Sequence, residues 1–133
     1  MDFALTTAHQ EILEKAAWLA REHLEPRAAQ YDTTGQHPRE SWHDLWQHGF
    51  LAMAVPQAYG GLELDMLTYV MVLERLAQGC TNATMTLHMH SVVQRYIAAL
   101  ATPAQKALYY PEVVEQGQLF GSWGSEPERH GGS

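Results

Sequence analysis

The sequence predicts an all-α fold, an up-and-down bundle of five or six helices that ends in one extended segment. Three features point there. Apolar residues recur at helical spacing through most of the chain, capping residues precede those runs, and Leu119 to Trp123 is the one stretch that reads as a strand. With 133 residues, 46% hydrophobic and 17% charged, the chain can bury a core and does not have a disordered composition.

The first helix is expected behind Thr7-Ala8-His9-Gln10, which fits a capping box. Leu13, Ala17, Ala20 and Leu24, flanked by Ile12 and Ala16, give it one apolar stripe. Pro26 lacks a backbone donor and must kink or end that helix, with a short continuation through Ala28, Ala29 and Tyr31. Asp32-Thr33-Thr34-Gly35 reads as a turn. Pro38 suits the first position of a second helix carrying Trp42, Leu45 and Trp46, and Gly49 suits its left-handed end. A short apolar segment from Phe50 to Val55 follows, then the breaker Pro56-Gln57-Ala58-Tyr59-Gly60-Gly61.

Asp65 is placed to cap a third helix with Leu67, Val70, Met71, Leu73, Glu74 and Leu76, ending near Gly79. A fourth runs from about Asn82 to Ala101 through Met85, Met89, Val92, Val93, Tyr96, Ile97 and Leu100. Its few charges predict burial on most sides. Thr102-Pro103-Ala104-Gln105 is a second capping box. The fifth helix continues to about Tyr110, meets Pro111 and ends by Gly117. Leu119 to Trp123 then reads as an extended segment, and a lone strand needs partners to satisfy its backbone. The last thirteen residues, Gly121 to Ser133, hold four glycines and three serines.

Composition excludes some functions. The net charge is −7 and the pI about 5.5, with no Lys/Arg cluster, which argues against nucleic acid or an anionic membrane surface as the main partner. Cys80 is the single cysteine, so there is no intramolecular disulfide and no thiolate zinc site. No basic-then-apolar leader is visible at the N-terminus, and no apolar run reaches the ~20 residues of a membrane span. A cytoplasmic protein is the expectation.

Eight histidines raise the question of metal. His88 and His90 lie two apart, on opposite faces of a helix, and His43 and His48 are five apart, so no metal site is expected. Tyr59-Gly60-Gly61 reads as a turn rather than a phosphate loop, and Trp18, Trp42 and Trp46 as packing residues. The Met85 to Val93 stretch reads as a core helix in which methionines fill gaps.

Four stretches in order, LEPRAAQYDTTGQHP, LAMAVPQAYGGLELD, VLERLA and the terminal SEP with GGS, resemble the N-terminal part of the acyl-CoA dehydrogenase family. The resemblance runs from about Leu5 to Ser133. It implies that residues 1–117 form the family's N-terminal α-helical domain and that residues 118–133 begin its flavin-binding middle β domain. The cofactor implied is FAD and the substrate an acyl-CoA thioester, undergoing α,β-dehydrogenation in fatty acid metabolism.

The resemblance places Trp123, Ser125 and Ser133 near the flavin, and Met85, His88, Met89 and Val92 beside the acyl chain. Ser125 stands where the family usually has threonine and keeps the hydroxyl. Ser133 falls six residues after Pro127 instead of four, a departure from the family's loop length. The family's base is a glutamate of the C-terminal bundle. No residue here matches it, so no catalytic residue is assigned and the chain alone is expected to be inactive. Apolar surface left for the other domains predicts self-association, with homo-oligomers forming through those domains. Two other readings stay open: a reduced-flavin monooxygenase of the same fold, and a non-catalytic helical interaction module.

Overall fold

The computed structural model describes residues 4–122. Six α-helices succeed one another: α1 (Thr7–Leu19), α2 (Glu25–Thr34), α3 (Arg39–Gln47), α4 (Met66–Gly79), α5 (Thr81–Leu100) and α6 (Pro103–Val114). A π-helical turn, Ala20–Leu24, joins α1 to α2, and two 3₁₀ turns, Phe50–Ala52 and Gln57–Tyr59, lie between α3 and α4. The all-α bundle expected from sequence is what forms.

The caps are mostly those expected, with informative shifts. The first capping box sits one residue early: Thr6 accepts the His9 N–H at 3.2 Å, and the His9 ring accepts the Thr6 N–H at 3.3 Å. An imidazole does the work assigned to a glutamine side chain. Pro26 does not end the helix. The chain widens into the π turn and continues as α2 with the proline in its first turn, the position that best tolerates a missing N–H. Asp32 to Thr34 are helical rather than a turn, because the Thr33 and Thr34 hydroxyls bond back to Ala29 O and Gln30 O and Gly35 closes the helix at φ 65°. Pro38 is the residue before α3 and not its first position. Pro111 is carried inside α6, which runs past Tyr110 to Val114.

Between α3 and α4 the backbone folds tightly on itself. Phe50 to Val55 are all buried, and Leu62, Glu63 and Leu64 donate backbone N–H groups to Ala52, Val55 and Met53. Gly61 is obligatory there, since a Cβ would lie 1.9 Å from the Val55 carbonyl oxygen. This segment supplies Phe50, Leu51 and Met53 to a core that also holds Leu19, Leu24, Leu45, Val72, Leu76, Leu87 and Tyr110. The α4–α5 connection is only Cys80, so the two helices run as antiparallel neighbours.

One expectation fails. Helix α5 is not buried on most sides: Met85 is 57% exposed, Tyr96 55% and Leu100 82%. Its buried face consists of Ala83, Thr84, Leu87, His90, Ser91 and Gln94. Thr84 and Ser91 satisfy their hydroxyls on their own helix, at Cys80 O and Leu87 O, so small polar residues pack inward while large apolar ones turn outward. Among the described residues there is no strand. Residues 118–122 run without regular structure, as an extended segment without a partner must.

Candidate functional site

Two neighbouring apolar grooves open on the outer face of α5. Asp65 starts α4 by accepting the Thr68 N–H at 3.1 Å, and the single-residue turn at Cys80 lays α5 back along it. A groove of about 360 Å³ forms between them, with Val70, Leu73 and Ala77 of α4 facing Thr84, Met85 and His88 of α5; Glu74 lines it as well. The second groove, about 400 Å³, lies where the chain leaves the bundle and is walled by Met85, Met89, Leu119, Phe120 and Gly121. Met85 belongs to both, so the apolar surface runs from α4 across α5 to the exit segment.

Besides the exposed Glu74, one anchored polar group marks the first groove. The His88 Nδ1 lies 2.9 Å from the Tyr69 hydroxyl, and the Arg95 guanidinium stacks 4.7 Å above the Tyr69 ring. Burial pushes the Tyr69 phenol up, opposed in part by Ser91 and Arg95, so it stays neutral. The pair fixes the His88 ring at the groove wall. An apolar trough with one oriented imidazole can hold an aliphatic chain and one hydrogen-bonding group.

Of the residues singled out from sequence, Met85 and His88 share the first groove and Met85 and Met89 the second. Val92 is half-buried and lines neither. Trp123, Ser125 and Ser133 lie outside the described residues. Among the described residues no group of three or more His, Cys, Asp or Glu is placed to hold a metal ion, and no helix is long and apolar enough to cross a membrane.

The exit segment is fastened by residues that sequence reasoning treated differently. Trp42 and Trp46 pack as expected, but their indole N–H groups also donate to Gly117 O at 2.8 Å and Val114 O at 3.0 Å. Trp18 is 38% exposed and meets the His23 and His48 rings instead of the core. His90, considered only as a metal ligand, is fully buried and accepts the Phe120 N–H at 3.0 Å. Its signal in the sequence was position alone, two residues from the outward-facing His88. Elsewhere Asp44 binds Arg27 and His23. Burial would raise its carboxyl, but those partners hold it below the usual range, so this cluster ties α3 to α2 and the π turn.

The family model for the N-terminal domain of acyl-CoA dehydrogenases matches residues 6–117. The short-chain-specific acyl-CoA dehydrogenase of Clostridium acetobutylicum is 29% identical over 129 residues, covering 96% of this chain and 34% of that protein. The 3-sulfinopropanoyl-CoA desulfinase of Variovorax paradoxus is 33% identical over 104 residues, 77% of this chain and 26% of that one. Among solved structures, butyryl-CoA dehydrogenase from Megasphaera elsdenii superposes with a TM-score of 0.78 at 28% identity, over 90% of this chain and 32% of that chain. The prolyl acyl carrier protein oxidase AnaB gives 0.83 at 23% identity, over 94% and 34%, a likeness of fold alone. The chain thus spans about a third or less of the length of these curated relatives.

Proposed function

The chain belongs to the acyl-CoA dehydrogenase family, matching its N-terminal domain, and on that premise we propose that it forms one wall of the acyl site of an FAD-dependent dehydrogenase acting on an acyl-CoA thioester. Met85, His88 and Met89, with Val92 one turn further along α5, bound the acyl chain. Trp123, Ser125 and Ser133 contact the flavin. FAD, when bound, supplies the hydride acceptor for α,β-dehydrogenation. The residues of this chain bind and orient: methionine side chains conform to an aliphatic chain and exclude water, and the Tyr69-anchored His88 ring offers one fixed polar contact. No carboxylate of the chain is assigned the proton-abstracting role, so that base comes from elsewhere in the holoenzyme and the chain alone is inactive. Assembly into homo-oligomers through the other domains, in the cytoplasm, belongs to the same reading.

The observation that carries it is the second groove, which joins Met85 and Met89 to Leu119–Gly121, the residues just before Trp123. On this reading the helix that faces the acyl chain and the approach to the flavin loop share one surface. The test is chain-length preference of the holoenzyme. Met89→Trp fills the groove and should lower kcat/KM for long acyl-CoAs by at least about tenfold more than for short ones, a discrimination within reach of hydrophobic pockets. An unchanged chain-length profile would remove α5 from the acyl site.

A further inference from the structure

We propose that His90 is a positioning residue that fixes where the chain leaves the helical domain, holding residues 118–122 beside the methionine face of α5. Its ring is fully buried, set edge-on to Trp42 at 5.1 Å and near the Phe120 ring at 6.1 Å. The two ring nitrogens have different work. The Phe120 backbone N–H points at Nδ1 from 3.0 Å, so Nδ1 must carry a lone pair. The proton then sits on Nε2, which donates to Leu51 O at 3.2 Å. Two backbone groups distant in sequence thereby select one tautomer, and the ring bridges the Phe50–Val55 segment to the exit segment.

Charge is consistent with that geometry. Burial pushes His90 down to about 4, opposed in part by the Leu51 carbonyl, so the ring is neutral at physiological pH. The groups that meet it from other elements are Trp42 of α3, Leu51 of the 3₁₀ turn and Phe120. On α5 itself, the Gln94 amide lies 3.4 Å from Nε2; a protonated Nε2 accepts nothing, so the amide is oriented with its otherwise unpartnered oxygen toward the ring, and Tyr110 of α6 donates to the Gln94 backbone carbonyl. None of these bears a charge. The residues just before it are seated independently, by indole N–H bonds to Val114 O at the end of α6 and to Gly117 O, and a Cβ on Gly117 would lie 2.7 Å from the Trp46 ring. Helix α5 thus points His88 outward at the groove and His90 inward at the exit. This registers Phe120 against Met85 and Met89, the other wall of the second groove. That the residues beyond 122 then reach a flavin rests on the function proposed above; the fastening of 118–122 does not.

Amide exchange on the 133-residue chain without any ligand tests the fastening. Asparagine places its amide oxygen near the position of Nδ1, and glutamine places its amide near Nε2. His90→Asn should keep the Phe120 amide protected, while His90→Gln should speed its exchange by on the order of tenfold, the loss of one hydrogen bond. Protection of Val72 and Leu76 should change alike in both variants. Equal exchange at Phe120 in the two variants overturns the proposal. Should either variant fail to fold, the imidazole ¹⁵N spectrum of the unaltered chain decides. An Nε2-protonated ring with a hydrogen-bonded Nδ1 supports the assignment, and an Nδ1-protonated or freely titrating ring overturns it. Neither measurement involves flavin, so failure here is distinct from failure of the proposed function.

Discussion

Acidification should destabilise this domain through His90 before its carboxylates protonate. The ring is buried and neutral, with its pKa lowered from 6.5 to about 4. Well above pH 6.5 neither the folded nor the unfolded chain holds a proton there, and the full stability is present. Between 6.5 and 4 the unfolded chain binds a proton that the folded chain refuses, so stability falls as pH falls. At pH 5 the linkage relation gives a loss of about 2 kcal/mol, rising to about 3 kcal/mol below pH 4. His48, also lowered by burial and by Lys15 and His23, acts in the same direction, so the comparison must isolate His90. Urea unfolding at pH 7 and pH 5 for the unaltered chain and for His90→Asn does so. The stability advantage of the unaltered chain should shrink by about 2 kcal/mol over that interval, because the variant cannot titrate at position 90. An advantage constant to within about 0.5 kcal/mol would mean that His90 titrates normally and that its burial and tautomer have been misread.

Three further outcomes are expected. Gly79→Ala puts a Cβ 2.4 Å from the Ala20 carbonyl oxygen, backbone against backbone where α4 meets the π turn. It should cost about 1–3 kcal/mol in urea unfolding, despite alanine's better helix propensity. Asp65→Ala removes the α4 cap and should cost about 1 kcal/mol, with Asp65→Asn recovering most of it. In the holoenzyme, Ser125→Ala should weaken FAD binding or slow flavin reduction by about 1–3 kcal/mol, and Ser133→Ala by less. Equal FAD affinity and anaerobic reduction rates in the unaltered and Ser125→Ala enzymes would reject that loop assignment.

Much of the fold was legible because local chemistry and global packing agree. Asp65, the Thr102–Gln105 box and Gly49 at φ 83° end or start helices as their residue types require. The misreadings arose where one residue type substitutes for another's role. A histidine completed the first capping box, and a π turn absorbed Pro26 where a break was expected. The orientation of α5 was hidden for a different reason. Its low charge suggested burial, yet hydroxyls bonded to their own helix make Thr84 and Ser91 acceptable core residues and free Met85 and Met89 to face the grooves. In the candidate site, Met85, His88 and Met89 came from family resemblance, and the structure gathers them around two grooves while leaving Val92 outside both. The His90 contacts depend on Leu51 and Phe120, thirty or more positions away, and no local pattern encodes them.

The most direct test of the central claim is anaerobic titration of the purified holoenzyme containing this domain with saturated acyl-CoA thioesters, followed by flavin absorbance. The expected result is bound FAD that bleaches on addition of an acyl-CoA, with Met89→Trp shifting the chain length that bleaches it. A protein that binds no flavin, or whose flavin no acyl-CoA reduces while its reduced form reacts with oxygen to hydroxylate a substrate, would contradict it.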